Sequence, residues 1–262
     1  MKFKTNAIFK NRKTGHSVDF GICAFMHKNL EGNYASTTCP GCYAARLINV
    51  YPATKAKLER ITGTFPDLTD FKSDITKICG TGARFIRFYS LGDFAHMDEV
   101  PFIHAAADIM PVELFSKTLH AMYRESLIKV ASHPKVNISL SLNNHWDDTY
   151  IEELYQFLLE HRLLKNVQLN YTFIGDEKMR LVPHISAYHT TKNHKLDLFN
   201  FVGYNRACCA RAEDGVKITD KNSGNHKGSC AKCPLCKLPA ADAAGNILTP
   251  KLREDVYELV KV

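Results

Sequence analysis

The stretch Arg-Phe-Ile-Arg-Phe-Tyr-Ser-Leu-Gly-Asp-Phe, residues 84–94, decides the fold. Aromatic and β-branched residues in a short run, directly after the Gly80-Thr81-Gly82 turn, read as a buried strand that ends at Gly92-Asp93-Phe94. A helix with Val100, Ile103 and Ala107 on one side comes next. The same unit then recurs. Residues 112–117 (VELFSK) read as a short strand and residues 118–131 as a helix. Residues 136–142 (VNISLSL) read as a strand running into Asn143-Asn144-His145. A helix over 148–161 turns Ile151, Leu154 and Leu158 inward, with Asp148 near its cap. Residues 167–174 (VQLNYTFI) form another strand, and 198–202 a further one.

Strands alternating with helices, at intervals of about 25–30 residues, indicate a parallel sheet of βα units. Five or six such units point to an α/β fold, a complete or partial (β/α) barrel, with an open doubly wound sheet as the alternative. The chain has no G-x-G-x-x-G fingerprint and no P-loop, which argues against the usual dinucleotide or nucleoside triphosphate sites.

Upstream, residues 53–62 and 67–79 are helical by pattern. Asp67 caps the second, and Leu68, Phe71, Ile75 and Ile78 recur on one face. Residues 19–25 (DFGICAF) read as a first buried strand, and residues 1–19 as a polar, basic arm. Between them and the helices, Cys39-Pro40-Gly41-Cys42 sets two thiols on a tight turn that leads into a helix start. Such a pair suits metal, redox chemistry or a purely structural turn.

Downstream, Cys208 and Cys209 are followed by Cys230, Cys233 and Cys236. The C-x2-C-x2-C spacing, with the pair about 20 residues upstream, matches the ligands of one metal centre. The loop between them holds little that packs, and a metal would staple its ends. Cys208 is the favoured member of the adjacent pair, because neighbouring side chains rarely both reach one ion; His226 lies inside the loop as a substitute ligand. Zinc and a 4Fe–4S cluster both suit the spacing. Thr249 and Pro250 then open a C-terminal helix with Leu252, Val256 and Leu259 as its stripe. The expected organisation is a barrel-like catalytic domain over 1–204, then a metal-binding loop and helix over 205–262.

Composition sets outer bounds. An apolar fraction of 45% fills an ordinary globular core. No apolar run reaches membrane-spanning length and no signal-peptide pattern opens the chain, so a cytoplasmic protein is expected. Nine cysteines in a reducing compartment favour metal over disulfides. The formal charge of +7 favours an anionic partner such as nucleic acid.

Barrel enzymes place their chemistry at the carboxyl ends of the strands. That rule selects Ser90 and Asp93, Lys117, Asn143 with Asn144 and His145, and Asn170 with Thr172. Asp93 is the leading catalytic candidate, as base, nucleophile or base-edge acceptor, against a plain helix cap. Ser90, Lys117, Asn143 and Asn170 are candidate substrate contacts. Lys117 also reads as a snorkelling side chain, and Asn143 as a turn residue.

The order Cys42-Tyr43-Ala44, Arg87…Gly92-Asp93-Phe94, Phe115-Ser116-Lys117-Thr118, then Cys208 with Cys230, Cys233 and Cys236 resembles the phage gene-product-88 family over roughly residues 35–240. Two features depart from that pattern: the cysteine spacing before Cys42 is compressed, and Leu91 stands where Ser or Gly is expected. The family is similar to phage DNA 7-deazaguanine transglycosylases, relatives of tRNA-guanine transglycosylase. The resemblance implies an α/β barrel, catalytic aspartates, a zinc site in the late cysteines, and DNA and a small 7-deazaguanine base such as preQ0 as partners. It implies exchange of guanine in DNA for that base. Two catalytic aspartates are then expected; Asp93 is well placed, while Asp147, Asp148 and Asp214 are weak seconds. A radical S-adenosylmethionine enzyme is the alternative. It needs a third cysteine at position 35, where Ala35 stands, and Cys23 would have to substitute. A non-catalytic nucleic-acid-binding protein with a structural metal is the third reading.

Overall fold

The computed structural model describes residues 2–11, 15–36, 38, 39, 42–83, 85–173, 182–185 and 187–190. The late cysteines, Asp214, His226, the strand expected at 198–202 and the C-terminal helix lie outside the described residues. The chain divides into two compact units, 1–138 and 139–262.

The first unit begins with a hairpin rather than an arm. β1 (Ile8–Asn11) pairs antiparallel with β2 (Gly15–Val18). Ala7, Ile8 and Val18 are buried, so the apolar residues scattered among the lysines carry the segment into the core. β2 then pairs parallel with β5 (Ile86–Phe88), and β5 with β6 (Val112–Ser116), giving the order β1-β2-β5-β6. A second hairpin, β3 (Met26–Lys28) with β4 (Tyr34–Ser36), stands apart as its own two-stranded sheet. The expected strand over 19–25 does not form. The chain leaves β2 at Val18 and bends at Gly21, whose φ of 149° suits glycine.

Helices follow their sequence signals closely. α1 (Tyr43–Val50) starts at Cys42, and α2 (Pro52–Ile61) has its proline in the first turn, where no N–H is needed. α3 (Leu68–Cys79) is capped by Asp67, whose side chain accepts from Asp70 N at 2.9 Å. Phe71, Ile75 and Ile78 form its buried stripe, as the 3.6-residue period requires. α4 (Val100–Ile109) buries Val100, Ile103 and Ala107 and packs on α3 and β6. The helix expected over 118–131 is broken into α5 (Thr118–Ala121) and α6 (Arg124–Ala131). Tyr123 N and Met122 N both turn back to the Thr118 carbonyl, which closes the first piece.

The strands of this unit sort their side chains by face. Ile86, Phe88, Val112 and Leu114 are fully buried on one side. Phe20, Phe65, Phe71, Phe88 and Phe102 form an aromatic cluster, with centroids 5.3–6.1 Å apart. The other face is polar. Arg87 lies in register beside Glu113, with its guanidinium 4.2 Å from the Phe115 ring centre, and Asn137 donates to Glu113 at 3.3 Å.

The division between the units falls within β7 (Val136–Asn143). In the second unit its end is followed by α7 (Asp148–Glu160), β8 (Val167–Phe173) and β9 (Ala187–Thr190), with β8 and β9 parallel. Asp147, one residue before the expected cap, accepts from Tyr150 N at 2.8 Å and starts α7. Ile151, Leu154 and Leu158 of that helix are fully buried. Leu140, Leu142, Val167, Leu169 and Tyr171 are buried on one face of the strands. Ser139, Ser141, Asn143, Gln168, Asn170 and Thr172 alternate with them.

The architecture is thus α/β with mostly parallel pairing. Barrel closure is not seen among the described residues: β1 has β2 as its single neighbour, so the sheet is open there. No described helix is long and apolar enough to cross a membrane.

Candidate active site

The site is built where β2, β5 and β6 end. β5 stops at Phe88 because Tyr89 takes φ 63°, a conformation rare for a bulky residue. That turn swings three successive N–H groups, of Ser90, Leu91 and Gly92, onto one oxygen. Each donates to Asp19 Oδ1 at 2.8 Å. Asp19 comes directly after β2, and Ser17 Oγ donates to its second oxygen at 3.3 Å. Gly92 is required here, since a Cβ at this position would sit 2.2 Å from the Gly21 carbonyl oxygen.

Asp93 continues the loop and ties it to β6. Its Oδ1 accepts from Phe94 N at 2.8 Å and Ser116 Oγ at 2.6 Å, and its Oδ2 from Lys117 N at 2.8 Å. The Thr118 hydroxyl lies 3.0 Å from Asp93 Oδ1 and 2.5 Å from the Phe94 carbonyl, and its one proton serves one of them. Asp93 does not cap the following helix: His96 holds that position for the 3-10 turn 97–99. The donors therefore fix the carboxylate in place, with most of them on Oδ1.

Burial dominates the electrostatics. Desolvation raises the Asp93 carboxyl above the ordinary range, although Ser116, Lys117 N and Phe94 N pull the other way. Asp19 is raised for the same first reason, against its three backbone donors and Arg87. A third acid completes the group. Glu99 accepts from Ala95 N at 2.8 Å and His96 N at 2.9 Å, and the Tyr89 hydroxyl donates to its other oxygen. Burial pushes Glu99 up to about 7. The Tyr89 phenol is raised well above its usual value by burial first, then by Glu99, Asp93 and Asp19.

Lys117 brings the C-x2-C turn to this place. Its Nζ donates to Cys39 Sγ at 2.8 Å while its backbone N–H holds Asp93. Cys42 N donates to Cys39 O at 2.9 Å, closing the turn. Cys23 is near both: burial raises its thiol, and Asp93, Cys39 and Cys42 add to the effect. All described cysteines are free, and no group of three or more His, Cys, Asp or Glu side chains among the described residues is arranged to hold a metal ion.

Of the residues selected by strand position, Ser90, Asp93 and Lys117 come together in the first unit. Asn143 and Asn170 belong to the second. Asn143 Oδ1 accepts from His145 N at 2.8 Å and its carbonyl accepts from Trp146 N at 3.1 Å, which makes it the turn residue after β7. Asn170 is 2% exposed, and neither side-chain polar atom has a hydrogen-bond partner among the described residues. Asp147 is occupied as the α7 cap.

Sequence reading misses Asp19, Tyr89 and Glu99 as members of this group, and names Cys23 only as a substitute thiol. Asp19 sits at the very end of a strand, the position that selected Asp93, but the strand was placed one segment late. The chemistry available is that of a dry carboxylate cluster beside an ammonium and two thiols: nucleophilic attack, proton transfer, or both. No family model, curated protein or solved structure matches this chain.

Proposed function

We propose that the chain is a base-exchange enzyme that replaces guanine in DNA by a 7-deazaguanine base of the preQ0 type. The observation that carries the reading is the pair of buried aspartates at the carboxyl ends of neighbouring parallel strands, Asp19 after β2 and Asp93 on the loop after β5. Two aspartates are what the resemblance to deazaguanine transglycosylases implies. Their position is the one that βα enzymes use for chemistry. A partial barrel, open at β1, is the finer fold form that goes with this reading.

In the proposed reaction Asp93 Oδ2 attacks C1′ of the target nucleotide. The C1′–N9 bond breaks, its electron pair leaves with guanine, and a proton is delivered to the departing base. The incoming deazaguanine gives up its N9 proton and attacks C1′, which releases the carboxylate. Glu99, raised to about 7, is suited to hold and return a proton near neutrality. Asp19 acts by shaping the 90–92 loop. The target nucleotide has to leave the helix stack to reach a buried acid. The net charge of +7 favours the DNA backbone.

Cys208, Cys230, Cys233 and Cys236 would hold zinc, whose thiolate set supplies a structural staple; no step runs through it. The test is transfer of labelled preQ0 into DNA by the unmutated chain and by Asp93→Asn. The variant should fold and bind DNA yet lose exchange by at least a hundredfold. Near-normal exchange by folded Asp93→Asn sinks the assignment.

One observation favours a second reading. Cys23 is close enough to Asp93, Cys39 and Cys42 for their charges to add to the rise of its thiol, although no three described side chains are arranged to hold a metal ion. A radical S-adenosylmethionine enzyme needs three thiols on a 4Fe–4S cluster. Anaerobic purification decides it: a brown protein carrying iron and sulfide supports the second reading, and a colourless zinc protein removes it.

A further inference from the structure

We infer that Asn170 is the contact residue for the edge of a planar heterocycle, one that sets an N–H donor beside a C=O or ring-nitrogen acceptor. The argument starts from β8. Val167, Leu169 and Tyr171 face one way and are 0–2% exposed; Gln168, Asn170 and Thr172 face the other. Buried strands in parallel sheets are ordinarily apolar on both faces. Here the second face is built from amides and a hydroxyl, and it is buried as well, with Gln168 at 7% and Asn170 at 2%.

Part of this polar face is bonded within the protein. Gln168 Nε2 donates to Ser139 Oγ at 2.7 Å, and Asn143 closes its own turn. Asn170 differs. Its Nδ2 and Oδ1 are both buried and neither has a hydrogen-bond partner among the described residues. A carboxamide offers two donor hydrogens and two acceptor lone pairs. Leaving all of them unmade in the interior destabilises the folded state, and an apolar residue of the same volume would avoid the cost. A position that is costly to the fold and easily replaced is what a binding residue looks like.

The group also specifies its ligand. A carboxamide sets one donor and one acceptor side by side in a plane, and its complement is an acceptor beside a donor at the same spacing. The lactam edge of a guanine-type base has this pattern in its ring N–H and adjacent C=O, and a 7-deazaguanine keeps it. Adenine offers the pattern through its amino group and ring nitrogen. The carboxamide alone accepts both classes. The choice of the guanine class rests on the base-exchange reading, and the experiment separates the two claims.

Binding of free preQ0 and of free adenine to the full chain is measured by calorimetry, for the unmutated protein, Asn170→Leu and Asn170→Ser, with thermal unfolding of each. The expected result is preQ0 binding that weakens roughly 10- to 100-fold in both variants. Asn170→Leu should at the same time melt a few degrees higher, because the unpaired amide is gone. A residue with a purely structural role cannot give that combination. Equal preQ0 affinity in folded Asn170→Leu and Asn170→Ser overturns the inference and leaves base exchange standing. A lower melting temperature for both variants also overturns it, since the amide then serves the fold. Adenine binding that depends on Asn170, without preQ0 binding, keeps the contact and removes the guanine reading. Binding of neither base removes both.

Discussion

Asp19 is tied to more backbone than any other carboxylate described in the first unit. Its Oδ1 collects the N–H groups of Ser90, Leu91 and Gly92, so one oxygen sets the shape of the loop that carries Asp93. Asp19→Ala strands three donors in a buried place and should cost at least ~3 kcal/mol of stability. Asp19→Asn keeps an acceptor and should cost about half of that. Urea midpoints of the two variants check the order, and an Asn variant as damaged as the Ala variant would assign the effect to charge. Glu99 makes a separate prediction. Its folded value of about 7 lies above the ordinary 4.5, so the folded state binds the proton more tightly. The stability it contributes is therefore complete below about pH 4.5 and is lost as pH rises through 7. The shift corresponds to ~3 kcal/mol between those limits. Unfolding free energies at pH 5 and pH 8 should show that loss in the unmutated chain and a smaller one in Glu99→Gln. Identical pH slopes would mean that Glu99 is not the group that titrates.

At the scale of elements, the loop between β5 and the 97–99 turn is the feature on which the site depends. It is packed against the bend after β2 so closely that Gly92→Ala places a methyl 2.2 Å from the Gly21 carbonyl oxygen. Backbone has to shift there, and the expected penalty is about 1–3 kcal/mol, with the proposed exchange activity falling as well. Parallel measurement of melting temperature and turnover tests the point; a variant with full activity would show that the loop geometry is not needed. Periodicity made α3, α4 and α7 legible, because a stripe such as Ile151, Leu154 and Leu158 has one physical use. The run RFIRFYSL located β5 but overstated it. The positive φ of Tyr89, which ends the strand at Phe88, is set by tertiary contacts to Glu99 and Val18 and leaves no local signal. DFGICAF reads as a strand for the same reason: Phe20 is buried in the aromatic cluster without being in a sheet. The basic composition of the segment hides the first hairpin; Lys10 stands on the edge strand β1, where charge is tolerated.

Over the whole molecule, strand-end position selects Ser90 and Asp93 on the loop after β5 and Lys117 after β6, and the Lys117 N–H donates to Asp93. It did not find Asp19, Glu99 or Cys23, whose roles depend on contacts spanning up to about seventy residues, as with Ser90 N on Asp19. Asn143, selected by the same rule, also closes the turn after β7, and strand-end position by itself does not separate ligand contacts from turns. The late cysteines give a prediction for the chain as a unit. If they hold zinc, Cys233→Ser should lower metal content and stability together, because ligation is part of folding. Unchanged zinc stoichiometry in that variant would refute the assignment.

The central claim is exchange of one base for another at an intact strand. The most direct measurement follows a duplex with labelled guanine, incubated with the protein and preQ0. Released guanine and incorporated preQ0 are counted together. The account predicts one guanine released for each preQ0 incorporated, with no strand cleavage and no release by Asp93→Asn. Guanine that stays in the DNA across several deazaguanines, with the protein folded and metal-loaded, would contradict it.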